Sequence, residues 1–210
     1  MRRAIILGNS GAARECCRLL REVMRKENDL VFGGFLAFEG YAGNLRELAP
    51  YALGTDDDYV PEPDDEFIIG IGLPTLRLAA FRKWKARGAL FMTLLHPGVI
   101  MMDGGVLGEG NILAYGCHIS CNTVFGDANY LNGGVVIGHD TRIGNGNFFG
   151  PVSMVMGDVS IGSGNSFGVH SVTLAGAKIG NNNTIAPGAY VYKGCGNNRI
   201  MAGNPALRVD

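Results

Sequence analysis

LNGGVVIGHDTRIG, residues 131–144, places apolar side chains at Leu131, Ile137 and Ile143, six residues apart, with small and turn-forming residues between them. The same beat extends both ways. Stepping by six from Leu107 reaches Leu113, Ile119, Phe125, Leu131, Ile137, Ile143, Phe149, Val155, Ile161, Phe167, Thr173, Ile179, Ile185 and Val191. Thr173 alone is not apolar, and a glycine often follows, as at Gly108, Gly126, Gly138, Gly144, Gly162 and Gly180. So strict a repeat reads as a solenoid of short strands and tight turns. Six residues make one flat side and a corner, so three sides close a triangular coil of eighteen, each stacked about 4.8 Å above the last. Rows eighteen residues apart are chemically alike, as this requires: Phe125, Ile143, Ile161 and Ile179 form one row, and Leu113, Leu131, Phe149, Phe167 and Ile185 another.

A further row is uniform: Asn111, Asn129, Asn147, Asn165 and Asn183. Stacked amides can hydrogen-bond along the coil axis. Alternatively, each asparagine tolerates a left-handed turn. The sequence leaves both readings open.

The 210 residues have a net charge of −1, which offers no electrostatic footing for nucleic acid or an anionic membrane. Glycine is abundant at 33 residues and concentrates in the repeat, where corners need an unhindered backbone. The opening MRRAIILGNSGAARE breaks its apolar run at Gly8–Gly11, unlike a signal peptide, and no stretch is long enough to span a membrane. The five cysteines, Cys16, Cys17, Cys117, Cys121 and Cys195, lack metal-ligand spacing. Reduced thiols in a cytoplasm are the simplest reading.

Residues 1–95 follow a different pattern and form the expected first domain; residues 96–210 form the second. Strands are expected at Ala4–Leu7, Leu30–Leu36, Glu66–Ile71 and Leu90–Leu95, with helices at Ala12–Lys26 and Pro74–Arg87. This implies a small parallel sheet flanked by helices, a Rossmann-like α/β domain. The turn Gly8-Asn9-Ser10-Gly11 between the first strand and helix could present backbone N–H groups to a phosphate. A tight turn for packing alone is the other reading, because Ser10 and Ala13 stand where a dinucleotide fingerprint wants glycine.

Among His96, His118, His139 and His170, His139 stands out: it follows the corner Val136-Ile137-Gly138, should sit outside the prism, and has Asp140 beside it. An imidazole titrating near neutrality suits the removal of a proton from a nucleophile. His96, before Pro97, reads as structural. A zinc site of the kind some solenoids hold needs two histidines five apart and a third about two coils away, a spacing absent here, so no metal is expected.

The order of these features resembles a known family. AIILGNSGAARE at the start, IIGIGLPTLR at Ile68–Arg77, LLHPGVI at Leu94–Ile100, LNGGVVIGHDTRIG at Leu131–Gly144 and AGNPA at Ala202–Ala206 are similar to the left-handed β-helix sugar acyltransferases. These include nucleotide-amino-sugar N-acetyltransferases of the PglD-like kind and NeuD-like sialic-acid-type O-acetyltransferases. The resemblance implies a Rossmann-like domain followed by a left-handed hexapeptide β-helix, an exception to the right-handed crossover rule. It implies a homotrimer with active sites between subunits, acetyl-CoA as cosubstrate and a nucleotide-linked amino sugar as acceptor.

By the same resemblance, His139 falls on the general base and Asp140 on the acidic residue that orients it. The backbone N–H of Gly157, one coil above, falls on the group that polarises the acetyl carbonyl. Ala175 lines the pantetheine path, Asn132 lies near the sugar, and Gly8, Ser10, Gly11 and Gly72 match the loops that meet the diphosphate. Two departures stand out. Gly34-Phe35-Leu36-Ala37-Phe38-Glu39 lacks the aspartates that read uracil in close relatives, so the base is open. Phe148 stands where such relatives carry a second histidine near the acetyl group. The activity expected is N-acetylation of a sugar, a 4-amino-4,6-dideoxyhexose, with two alternatives: O-acetylation of a sugar hydroxyl, and non-catalytic binding of a nucleotide sugar.

Overall fold

The computed structural model describes residues 1–39 and 43–210. The chain opens with β1 (Arg2–Leu7), α1 (Gly11–Met24), β2 (Leu30–Ala37), a 3-10 turn at Arg46–Tyr51, β3 (Ala52–Thr55), β4 (Asp65–Ile69), α2 (Pro74–Ala86) and β5 (Leu90–Phe91). The strands form a five-stranded sheet in the order β3-β2-β1-β4-β5, every neighbouring pair parallel. Ala4–Leu7 is wholly buried because a parallel sheet is covered on both faces. Helix α1 buries Ala13, Cys16, Cys17, Leu20 and Val23, the three- and four-residue spacing of one helical face. Helix α2 begins at Pro74, whose missing N–H costs nothing in a first turn.

Two details differ from the sequence expectation. Leu90–Leu95 is two strands: Phe91 pairs with Phe67 in the first sheet, whereas Leu94–Leu95 pairs with Ile112–Leu113 in the solenoid. One apolar run serves two sheets because Met92 N–H still donates to Phe67 while Leu94 N–H already donates to Asn111. The strand β3 gave no pattern in the sequence, since all four of its residues are exposed.

From Leu94 the chain winds as a parallel β-helix. Stacked strands are eighteen residues apart, as in Tyr130 over Ile112 and Ile143 over Phe125. Three faces result. A docking face holds Leu94–Leu95, Ile112–Leu113, Tyr130–Leu131, Phe148–Phe149, Ser166–Phe167 and Thr184–Ile185. A methionine-bearing face holds Ile100–Met101, His118–Ile119, Val136–Ile137, Met154–Val155, Val172–Thr173 and Tyr190–Val191. A glycine-edged face holds Val124–Phe125, Arg142–Ile143, Ser160–Ile161, Lys178–Ile179 and Gly194–Cys195.

The second residue of nearly every strand points inward, and these apolar side chains fill the prism. The Phe149 and Phe167 rings stack at 4.6 Å and 5°. Thr173 occupies its row inside, with no partner for its hydroxyl among the described residues. Towards the end the coil shortens: Ile179 pairs with Cys195 and Ile185 with Met201, two residues short of the regular step.

The asparagine row is a hydrogen-bonded ladder. The Nδ2 groups of Asn129, Asn147, Asn165 and Asn183 each donate to the Oδ1 of the asparagine one coil before, at 2.9–3.0 Å. The left-handed turns belong instead to the preceding residues: Gly110, Ala128, Gly146, Gly164 and Asn182, with φ between 56° and 73°. The α/β domain packs on the docking face, where Ala13 and Cys16 of α1 share one core with Leu94, Ile112 and Tyr130.

Candidate active site

The corner between the methionine-bearing and glycine-edged faces stacks Gly104, Asn122, Asp140, Asp158 and Gly176, all with positive φ between 54° and 76°. His139 precedes Asp140 there, so the corner's geometry directs its side chain outward. The ring Nδ1 lies 2.8 Å from Asp140 Oδ2, and Asn122 Nδ2 donates to Asp140 Oδ1 at 3.1 Å. The His139 ring first, and then Asn122, hold the Asp140 carboxyl below the usual carboxylate range. A carboxylate only accepts, so Nδ1 carries the hydrogen, and in the neutral imidazole Nε2 then presents a lone pair. Both side chains are about half exposed in the single chain, at 53% and 48%.

Gly157 lies one coil above. A Cβ on Gly157 would stand 2.5 Å from His139 Cε1 and Nε2, so only glycine leaves room for the ring. Gly138 is required for a related reason: its Cβ would stand 2.5 Å from the Gly157 nitrogen. The Gly157 N–H makes no hydrogen bond among the described residues. A base with a free lone pair thus stands beside an unpaired backbone donor, the two groups needed to deprotonate a nucleophile and stabilise an oxyanion. Ala175 follows one coil further in the same column and is exposed.

A second cluster forms at the carboxyl ends of β1 and β4. The strand order reverses between these two strands, and at such a switch point an open α/β sheet has a crevice for ligands. Gly8, Ser10 and Gly11 follow β1; Gly72 follows β4. The loops touch: Gly8 has φ 114°, and a Cβ there would meet the Gly70 carbonyl oxygen at 2.8 Å. Around Gly72, Ala12 Cβ and Phe148 Cε2 both lie 3.8 Å from where a Cβ would be. Phe148 therefore belongs to this junction, edge-on to Tyr130 with centroids 5.4 Å apart, and not to the His139 corner of its own chain. Asn132 ends the docking-face strand above Leu131, its Oδ1 accepting the Gly133 N–H at 2.7 Å.

One chain does not bring the two clusters together. The glycine loops lie on the docking face, and the His139 corner is the edge of the prism opposite that face. Sequence reasoning overlooked Asn122 and Asp158, although the eighteen-residue step from Asp140 reaches both. It also overlooked Arg77, whose carbonyl partners no sequence pattern reveals. Among the described residues, His139, Asp140 and Asp158 place ligand-capable atoms within 4.8 Å of one another, all three residues exposed.

No protein-family model and no curated protein sequence matches the chain. Solved structures do. The chain is similar to PerB from Caulobacter crescentus, solved in complex with CoA and GDP-perosamine, at 25% identity and a TM-score of 0.87, covering 99% of this chain and 97% of that one. It is similar to the acetyltransferase domain of PglB from Neisseria gonorrhoeae in complex with acetyl coenzyme A, at 18% identity, TM-score 0.86 and 99% coverage of both chains. WeeI from Acinetobacter baumannii aligns over 100% of both chains at 19% identity and TM-score 0.78. From end to end, the chain has the fold of the hexapeptide-repeat sugar acetyltransferases: a parallel α/β domain followed by a left-handed parallel β-helix.

Proposed function

We propose that the protein is an acetyl-CoA-dependent N-acetyltransferase whose acceptor is a nucleotide-linked amino sugar, a 4-amino-4,6-dideoxyhexose. The observation that carries this is the His139–Asp140 pair set against the unpaired Gly157 N–H. PerB, which aligns along the whole chain, was solved with CoA and GDP-perosamine, and perosamine N-acetyltransferase was also solved with one histidine replaced by asparagine or alanine.

In this reading His139 Nε2 takes the proton from the sugar amine as its nitrogen attacks the thioester carbonyl. Asp140 stabilises the imidazolium that results. The Gly157 N–H receives the negative charge developing on the carbonyl oxygen, a contribution of about 3 kcal/mol in comparable oxyanion sites. As the intermediate collapses, the carbon–sulfur bond breaks and the imidazolium protonates the departing thiolate. Gly8, Ser10, Gly11 and Gly72 meet the diphosphate, Asn132 lies beside the sugar, and Ala175 borders the pantetheine path. No cysteine takes part; all five are free thiols, and the protein works in the cytoplasm. No helix among the described residues is long and apolar enough to cross a membrane.

The active unit is a homotrimer. The methionine-bearing face exposes Met154, Met156 and Tyr192 by 43%, 41% and 51%, an apolar strip of the kind that packs against another protein. That face is flanked by the His139 corner on one side and by the corner after Asn132 on the other. A threefold ring with these faces inward sets the His139 corner of one chain beside the neighbour's opposite corner and α/β domain. Such a ring unites the two clusters that a single chain keeps apart.

The test is acetyl transfer from acetyl-CoA to a panel of UDP-, GDP- and dTDP-linked amino and hydroxy sugars, followed by mass spectrometry. One amino sugar should be acetylated, and His139→Ala should lower kcat about a thousandfold with the trimer intact. Undiminished turnover in that variant, or transfer to hydroxy sugars alone, overturns the reading.

A further inference from the structure

Arg77 is fully buried, with no carboxylate among its hydrogen-bond partners in the described residues. Its partners among the described residues are backbone carbonyls. Nε donates to Ala128 at 2.5 Å; Nη1 donates to Ile69 at 2.6 Å and Ile71 at 3.0 Å; Nη2 donates to Gly110 and Asn129, both at 3.3 Å. A guanidinium has five N–H groups, and each finds an acceptor here. Its face also lies 5.3 Å from the centre of the Tyr130 ring, whose hydroxyl donates to Glu15 of α1 at 3.1 Å. Burial pulls the Arg77 guanidinium down to about 10, which leaves it charged at neutral pH.

The acceptors fall into two groups. Ile69 ends β4, and Ile71 lies in the loop after it, next to Gly72. Gly110, Ala128 and Asn129 belong to two successive coils of the β-helix at one corner. Arg77 itself stands in the first turn of α2, directly after that loop, where its own N–H donates to Leu73 at 2.9 Å.

We propose that Arg77 is a positioning residue that sets the Gly70–Leu73 loop against the β-helix, fixing where the nucleotide end of the substrate sits relative to the trimer's catalytic corners. Its functional consequence rests on the nucleotide-sugar reading above. A lysine has three donors on one atom and cannot span both groups of carbonyls, so the charge alone does not suffice.

Arg77→Lys tests this directly. The KM for the nucleotide sugar should rise about tenfold, while the KM for acetyl-CoA and the extrapolated kcat stay near the wild-type values. Hydrogen exchange should quicken at the amides of residues 70–73. Arg77→Ala leaves a guanidinium-sized hole, and added guanidinium at low millimolar concentration should restore the sugar KM where methylammonium does not. Equal loss in both substrates, equal rescue by both cations, or unchanged exchange in the lysine variant would overturn the proposal. A wild-type protein that acetylates no sugar, with residues 70–73 still loosened in Arg77→Lys, overturns the functional reading and upholds the positioning role.

Discussion

The imidazole of His139 lies against the bare α-carbon of Gly157, one coil away, so close that a single methyl group there would stand 2.5 Å from Nε2. The ring and the glycine define one site between them. Gly157→Ala must push the imidazole aside, and a displacement of about 1 Å in a reacting group costs about a hundredfold in rate. We expect kcat/KM to fall by about that factor with the thermal midpoint within a few degrees of wild type. Unaltered kinetics in Gly157→Ala would contradict the role proposed for the His139 corner.

The asparagine ladder should behave as a chain of buried polar groups. Asn147 donates to Asn129 Oδ1 and to the Gly162 carbonyl, and its own Oδ1 accepts from the backbone and side chain of Asn165. Asn147→Ala leaves those groups unpaired, and urea unfolding should show a loss of about 2 kcal/mol. A variant as stable as wild type would mean that the amides contribute nothing.

Thr173 predicts a change of the opposite sign. Its hydroxyl is buried without a partner among the described residues, in a row otherwise filled by Ile119, Ile137, Val155 and Val191. Thr173→Val keeps the shape and removes the unpaired group, so unfolding should require about 1 kcal/mol more. Destabilisation on this substitution would show that the hydroxyl has an unrecognised partner.

Asp65 makes part of the stability depend on pH. Burial alone would raise its carboxyl, but hydrogen bonds from Arg3 at 2.6 Å, the Glu62 backbone and the Tyr59 hydroxyl, each at 2.8 Å, hold it below the usual carboxylate range. A depressed acid stabilises the fold above its unfolded value, about 4, and loses that contribution as pH falls through the folded value. Asp65→Asn should therefore cost about 3 kcal/mol at pH 7. The deficit should shrink at pH 3; a deficit constant across that range would exclude the linkage.

The thiols should divide by burial. Removal from water pushes Cys16 up to about 12 and Cys117 up to about 11, and a thiol reacts as its thiolate. Iodoacetamide at pH 8 should therefore leave both unlabelled in the folded protein and label both in urea, as peptide mass mapping would reveal. Rapid labelling of folded Cys16 would place it outside the core shared by α1 and the docking face.

The β-helix was legible because each side of the prism repeats the same local demand: one inward apolar residue and one tight corner. The eighteen-residue step from Asp140 reaches Asn122 and Asp158, yet both were passed over, because exposed polar residues have no apolar period to announce them. Strand β3 was illegible for a related reason: its residues are all exposed, and only pairing with β2 makes them a strand. The two open readings of the asparagine row could be separated only by dihedral angles, which place the left-handed turn one residue earlier.

What the sequence determined by itself was periodic and local: the coil, its three rows of core residues, the glycine turn after β1, and His139 with Asp140 at one corner. What the tertiary structure decided was which distant groups meet. Gly157 comes to lie against the imidazole from one coil above, Phe148 joins the glycine loops after β1 and β4 instead of the His139 corner of its own chain, and Arg77 gathers carbonyls from the α/β domain and the β-helix. Those contacts join segments far apart in the chain, 52 residues between Arg77 and Asn129 and more between Gly72 and Phe148, and carbonyl acceptors have no side-chain identity to read. Only the docking of one domain on one face of the prism brings them within reach.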